Sequence, residues 1–317
     1  MPKSKKDLRI IFLGNPEFAR YHLEQILANG YNVVAVISAP DRPGGRGMKL
    51  KATPVTQYAR EQNIPCLQPT NLKNEAFQAE LKSYNADLQV VIAFRMLPVA
   101  VWDMPPMGTY NLHASLLPQY RGAAPINWAI INGETETGVS TFKLKHEIDT
   151  GDLLVQKKCA ITEDDTAGTL HDKLMYLGAD AVIETLDQIA SGEEKAIPQE
   201  DNSNLKAAPK LYTANTEIDW NNTAKSIRNM VRGLSPYPVA HSTFDGKKLL
   251  VYAVETETVE HNHSQGTFVS DGKRFLKVAV ADGFITLQNI KVQGKRQMAI
   301  RDFLNGYDIG HLALASE

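Results

Sequence analysis

The sequence predicts an α/β fold: a doubly wound, mostly parallel sheet followed by a small β-barrel domain. Three observations predict it. The first half alternates short β-branched apolar runs with stretches of helical periodicity, the signature of strand-helix-strand units. A polar, proline-containing stretch at 191–209 then interrupts the pattern. Beyond it, short β-type runs are punctuated by Asp245-Gly246, Asp271-Gly272 and Asp282-Gly283, turn dipeptides of antiparallel hairpins.

In chain order, 8–13 reads as the first strand and 16–28 as a helix, with Pro16 suited to its start. A strand at 33–37, helices near 55–62 and 74–83, and a strand at 88–93 follow. A further strand ends at about Asn111. The carboxyl ends of these strands, at Gly14, Ser38, Phe94 and Asn111, then share the edge where such sheets bind ligands. From 166 to 189, Leu170, Leu174, Leu177, Ala181 and Leu186 mark a long amphipathic helix closing the domain. The 191–209 stretch reads as a linker. A helix at 222–231 then precedes strands at 249–254, 266–269, 275–280 and 284–292, a small antiparallel barrel or sandwich.

Length and composition bound the function. At 317 residues, 43% hydrophobic and 22% charged, the chain is expected to be globular with two domains, each burying its own core. Its two cysteines, Cys66 and Cys159, make neither a disulfide framework nor a zinc site, and His261 and His263 lack companion ligands. No apolar run is long enough to span a membrane, and the basic start runs straight into a strand. A cytoplasmic location is therefore expected, with no membrane partner and no metal. The charge balance is slightly basic from Lys210 onward and slightly acidic before it, a small asymmetry that a solvated face explains about as well as an RNA-binding surface does.

The chemistry concentrates in Tyr110-Asn111-Leu112-His113-Ala114-Ser115-Leu116-Leu117-Pro118-Gln119-Tyr120-Arg121-Gly122. Asn111 and His113 are two apart, so on a strand their side chains leave one face and converge on one reacting carbonyl. An isolated Asn/His pair reads equally as satisfied buried polar residues. The turn-rich connection that follows, where a loop holds a site, favours function. Asp149, in Ile148-Asp149-Thr150-Gly151-Asp152, is the matching carboxylate. Bonded to one imidazole nitrogen, it would fix the other as the base, while the Asn111 amide meets a developing oxyanion. Glu147 and Asp152 beside it read as solvated loop acids. A Ser115-His113-Asp149 hydrolase triad is disfavoured, because no glycine-flanked elbow surrounds Ser115 and adjacent strand positions face apart.

Two other segments are less specific. Gly14-Asn15-Pro16-Glu17-Phe18 lacks the second and third glycines of a dinucleotide fingerprint and reads as a plain strand-to-helix turn. Residues 40–51 carry Arg42, Arg46, Lys49 and Lys51 among three glycines. This is a flexible cationic loop suited to phosphates or RNA, or equally a solvated surface loop.

Taken together, the Asn-x-His and SLLP-x-Tyr-Arg-Gly signature, the loop from Pro40 to Gly47, Asp149-Thr150-Gly151-Asp152, Lys210-Leu211, Ile218-Asp219-Trp220 and Ser235-Pro236-Tyr237-Pro238 resemble the methionyl-tRNA formyltransferase family over almost the whole chain. The resemblance implies a Rossmann-like catalytic domain (1–190) that binds 10-formyltetrahydrofolate as co-substrate, a linker (191–209), and an OB-type β-barrel (210–317) that helps hold initiator methionyl-tRNA. No obligatory protein partner is implied. It also implies that Asn111, His113 and Asp149 are the catalytic trio, and that Arg42, with Arg46, Lys49 and Lys51, engages the acceptor arm. The folate donor would lie against Ala93, Phe94, Arg95, Met96 and Leu97, against Ser115, Leu116, Leu117 and Pro118, and against Glu147 and Ile148. Three positions depart from the family pattern: Asn15 replaces the usual Thr, Glu147 a small residue, and Phe94-Arg95-Met96 a Tyr-Gly. The Leu117–Pro118 bond is expected to be cis. Rival readings are a formyltetrahydrofolate hydrolase, a sugar-nucleotide N-formyltransferase and a non-catalytic RNA-binding module.

Overall fold

Apolar β-branched runs become central strands here because both their faces are covered, and polar residues at helix starts supply the caps. The computed structural model describes residues 2–44, 49–200, 204–307, 309 and 313–314. The chain divides into two compact units. One comprises Met1–Gly122, Gly138–Cys159 and Lys173–Ala207; the other comprises Ala123–Thr137, Ala160–Asp172 and Ala208–Glu317.

The elements of the first half are β1 (Arg9–Gly14), α1 (Glu17–Ala28), β2 (Asn32–Ile37), β3 (Arg42–Gly44), β4 (Lys49–Lys51), α2 (Pro54–Glu61), β5 (Cys66–Leu67), α3 (Glu75–Ser83), β6 (Leu88–Ile92), α4 (Val99–Trp102), β7 (Thr109–His113), β8 (Arg121–Gly122), α5 (Pro125–Ile131), β9 (Glu136–Lys143), β10 (Leu153–Ala160) and α6 (Ala167–Ser191). The sheet order is β10-β9-β7-β6-β1-β2-β5. Pairs β1–β2, β1–β6, β6–β7 and β2–β5 are parallel, and β7–β9 is antiparallel. The strand order reverses between β1 and β6, so the carboxyl ends of β1, β6 and β7 flank the crevice this fold class uses for ligands. All five residues of β6 are buried, as are the six central residues of β9. Thr53 and Asn74 cap α2 and α3 by accepting the backbone N–H of Thr56 and Phe77, both at 3.0 Å.

Gly14 is set by packing. A Cβ there would lie 2.6 Å from the Ala19 Cβ and 3.1 Å from the Ile92 carbonyl oxygen. The turn after β1 is thus held by close helix-strand approach, and Asn15 completes it by accepting the Ala39 N–H at 2.8 Å. A side-chain amide therefore performs the bracing at the position where Thr was expected.

The second unit carries α7 (Ala224–Leu234) and α8 (Ile300–Leu304). After the short β11 (Ala207–Ala208), its strands are β12 (Ala240–Phe244), β13 (Lys247–Thr258), β14 (Phe268–Ser270), β15 (Leu276–Val280), β16 (Gly283–Val292), β17 (Met298–Ala299) and β18 (Ala313–Leu314). They run in the order β12-β13-β16-β15-β14-β18, with β17 beside β16. The pairs are antiparallel except β14–β18. Phe244, Leu249, Val251, Val278 and Ile285 form its core with Ile227, Val231 and Leu234 of α7. Asp245 and Gly246, with φ of 50° and 67°, make the two-residue turn joining β12 to β13, as their type predicts. The doubly wound, mostly parallel sheet followed by a unit built on an antiparallel sheet is thus the fold class the sequence predicts. No helix among the described residues is long and apolar enough to cross a membrane.

Candidate active site

β7 lies between β6 and β9, with Val91 and Phe142 beside Asn111 and Ser140 beside His113. Strand parity sends Asn111 and His113 to one face. Tyr110 leaves from the other, where burial, and secondarily the Glu194 charge, pushes its phenol up to about 12; it donates to the Met107 carbonyl at 3.0 Å. The Asn111 amide is half-buried and makes no hydrogen bond among the described residues, so its N–H groups are free to donate.

His113 is 7% exposed. Its Nε2 lies 2.8 Å from the Tyr120 carbonyl oxygen. A carbonyl only accepts, so Nε2 carries a proton and Nδ1 is the nitrogen that exchanges one. The Asp149 Oδ2 atom is 3.9 Å from Nδ1, beyond hydrogen-bond reach. The expected Asp149–imidazole hydrogen bond is therefore corrected: the Tyr120 carbonyl sets the tautomer, and Asp149 faces the exchangeable nitrogen as a nearby charge. Asp149 Oδ2 instead accepts the Gly122 N–H at 2.9 Å, which anchors the carboxylate on the neighbouring loop.

The loop after β7 is braced from beneath. Ser140 Oγ donates to the Ser115 carbonyl at 2.6 Å and accepts the Leu117 N–H at 3.0 Å. The Gln156 amide donates to the Leu117 carbonyl at 2.8 Å and to Ser140 Oγ at 2.9 Å. Leu117 is buried, Leu116 and Pro118 are half-buried, and the Leu117–Pro118 bond is cis as expected. Ser115 is fully buried, and its hydroxyl donates to the Gln119 carbonyl at 2.7 Å. Its oxygen is thus withheld from a substrate, which disposes of the serine-nucleophile reading.

Asp149 sits at φ 57°, in the left-handed region. Gly151 is required beside it, because a Cβ there would fall 1.7 Å from the Lys143 carbonyl oxygen. Ile148 is 61% exposed and Glu147 is exposed; the Glu147 carbonyl accepts from Thr150 Oγ1 at 3.1 Å. On the other side, the 93–97 segment leaves β6 with Ala93 at φ 48°. Phe94 and Leu97 pack on the core while Met96 stays 74% exposed. The Arg95 guanidinium donates to the Pro69 and Thr70 carbonyls. The unusual arginine thus braces a neighbouring loop.

The described ends of the cationic segment pair with each other, while the residues between them, Gly45 to Met48, lie outside the described residues. β3 and β4 pair antiparallel with Arg42 directly opposite Lys51. Both are exposed, neither has an ion pair among the described residues, and Leu50 beside Lys51 is 70% exposed. Like charges face each other on one ribbon, an arrangement that favours an incoming anion. Lys49 lies on β4 opposite Gly44; Arg46 lies outside the described residues.

Sequence reasoning missed Gln199. Its Nε2 donates to the carbonyls of Asp149 and Gly151 at 2.9 and 2.8 Å. Its Oε1 accepts from Arg121 Nε and Nη2 at 3.1 and 2.8 Å. Nearby, Ile197 and Leu153 exchange two backbone hydrogen bonds of 2.8 Å, and Tyr120 donates to the Lys206 carbonyl at 2.6 Å. The polar stretch after α6 is thus bonded to two of the site's loops and to the start of β10. No periodicity or motif marks such a residue. Among the described residues no group of His, Cys, Asp or Glu could hold a metal.

Two family models match the chain: formyl transferase over residues 8–186 and formyl transferase, C-terminal domain, over residues 210–308. The methionyl-tRNA formyltransferase of Bacteroides thetaiotaomicron is 50% identical over 311 residues, 96% of this chain and 97% of that protein. That of Parabacteroides distasonis is 51% identical over 313 residues, with the same shares. Among solved structures, the sugar 3N-formyl transferase WlaRD superposes with a TM-score of 0.67 at 19% identity, over 91% of this chain and 99% of that one. HypX from Aquifex aeolicus in complex with tetrahydrofolic acid gives 0.65 at 18% identity, over 97% and 48%. At these identities the two structures speak for the fold alone.

Proposed function

The chain belongs to the formyl transferase family, and from that membership we propose that it moves the formyl group of 10-formyltetrahydrofolate to the α-amino group of initiator methionyl-tRNA, priming translation initiation. One observation carries the reading: the relationship to methionyl-tRNA formyltransferases runs nearly end to end through both units. A cytoplasmic location follows from the acceptor.

The donor supplies the formyl carbonyl. What this chain must do is orient that carbonyl, stabilise the charge that develops on its oxygen, and move one proton. The new bond joins the amine nitrogen to the formyl carbon, the bond from that carbon to the folate nitrogen breaks, and the proton passes from amine to folate nitrogen. The acceptor needs little activation, since an α-amino group with a pKa of about 7.7–8.0 keeps a useful neutral fraction, roughly a tenth or more, near pH 7. Asn111 is assigned to the developing oxyanion, which its unbonded amide can meet without first breaking a hydrogen bond. His113 is assigned to the proton through Nδ1, with Asp149 facing that nitrogen to balance its charge when protonated.

A folate fits the residues flanking this edge. Met96 and Ile148 present exposed apolar side chains, suited to a flat aromatic ligand, and the backbone of 93–97 and 115–118 and the residues Glu147 and Ile148 would complete its contacts. Residues 1–190 are assigned to donor binding and catalysis and 210–317 to holding tRNA. Arg42 and Lys51, with Arg46 and Lys49, are assigned to the phosphates of the acceptor arm.

The test is formyl transfer by the purified protein to charged initiator and elongator methionine tRNAs, with arms offering a nucleotide amino sugar or water alone. Formyl-methionyl-tRNA made only with the donor, and faster on initiator tRNA, is expected. Formylated sugar or tRNA-independent formate release in its place would replace this reading with a sugar-nucleotide formyltransferase or a hydrolase.

A further inference from the structure

The Asp149 carboxylate stands in a closed ring of bonds whose other members lie on different segments. Gly122 donates its N–H to Asp149 Oδ2, Arg121 beside it donates twice to Gln199 Oε1, and Gln199 Nε2 returns to the carbonyls of Asp149 and Gly151. The Gln199 amide therefore spends both donors on one loop and both acceptor lone pairs on another. The backbone just before it is fixed by the two-way pairing of Ile197 with Leu153. The clamped loop needs holding, because Asp149 occupies the left-handed region at φ 57°. Its carboxylate lies 3.9 Å from His113 Nδ1, a separation at which a shift of an ångström changes how strongly the charge acts on the ring.

We propose that Gln199 is a positioning residue for the transfer reaction, holding the Asp149 loop so that the carboxylate faces His113 Nδ1 while tying that loop to Arg121. The inference rests on the formyl-transfer reading and adds to it a residue outside the trio. Only a primary amide does both jobs. A carboxylate at this position keeps the Arg121 contact but turns an acceptor toward two carbonyl oxygens, and a thioether of similar length makes neither contact.

The test compares Gln199→Glu and Gln199→Met in the full-length enzyme, each alone and combined with Asp149→Asn, with methionyl-tRNA as acceptor. Both single variants should lower kcat by about ten- to a hundredfold, with KM for donor and tRNA within about twofold of wild type and thermal unfolding near wild type. In the Asp149→Asn background either change at 199 should cost little more, since the clamp then has no carboxylate left to place. Unchanged kcat in both variants, a rise in KM with kcat intact, or losses that multiply fully with Asp149→Asn would overturn the proposal. Should Gln199→Met fail to fold, the Gln199→Glu pair decides by the same criteria. Failure of the wild-type enzyme to formylate methionyl-tRNA overturns the underlying reading, and the inference with it. An active wild type with unaffected 199 variants overturns the inference alone.

Discussion

Around His113 the polar groups of the loops are bonded to other parts of the chain, whereas on the β3–β4 pair Arg42 and Lys51 face each other without an acidic partner among the described residues. The two regions meet different physical demands. Transfer chemistry depends on sub-ångström placement of donor and base, which only a saturated hydrogen-bond scaffold provides. Binding a polyanion depends on charge left uncompensated until the ligand arrives. Asn111 belongs to both descriptions: its strand is locked between β6 and β9, yet its amide is left unbonded for the reacting oxygen.

The largest effect should come from removing that one free donor. Asn111→Ala is expected to lower kcat by about 10²- to 10³-fold with the affinity for folate donor largely kept. A variant turning over near the wild-type rate would sink the oxyanion assignment. Next is the scaffold itself. Ser140→Ala leaves the buried Leu117 N–H and Ser115 carbonyl without their hydroxyl partner, which should cost about 1–3 kcal/mol of stability and lower kcat with it. A denaturation midpoint equal to wild type would show the loop to be held by other means.

On the binding side, Arg42→Ala should weaken use of tRNA while leaving donor affinity alone. The log-log salt dependence of tRNA binding should become shallower by about one; an unchanged salt slope and tRNA KM would contradict the role. The smallest effect concerns Asp271 in the turn between β14 and β15. Burial opposes its charge, but the Arg274 guanidinium and the backbone N–H groups of Arg274, Lys273 and Phe275 hold its carboxyl well below the usual range. A carboxyl depressed in the folded state contributes stability present above its unfolded pKa of about 3.9 and lost as pH falls below it. Asp271→Asn should therefore lower stability modestly at neutral pH, where the contribution is present, change it little in strong acid, and so flatten the acid limb of the stability profile. An acid limb identical to wild type would show that the turn does not contribute.

Much of this was legible in the sequence, and the exceptions have physical causes. Strands 8–13, 33–37 and 88–93 announced themselves because a strand buried on both faces reads as a nearly continuous apolar run. The helices expected at 16–28, 55–62 and 74–83 fall within a residue of α1, α2 and α3, because their apolar periodicity is a local property. The strands β9 and β10 went unread, since Glu136–Lys143 mixes threonine, serine and glycine with its apolar residues and Leu153–Ala160 carries polar residues at a sheet edge. Helix α5 is one of two stretches of the first half that group with the second unit, a pairing over long sequence separation that leaves no local trace.

The sequence by itself determined the fold class, the alternation that puts Asn111 and His113 on one face, and the acid that accompanies them, because periodicity and residue chemistry are local properties. Only the tertiary structure decided that the Tyr120 carbonyl orients the imidazole, that Asp149 stands off at 3.9 Å with its carboxylate anchored on Gly122, and that Gln199 ties the loops together. These are bonds between side chains and backbone groups of distant segments. Backbone carbonyls and N–H groups are the same at every residue, so nothing in the order of side chains says which of them will meet.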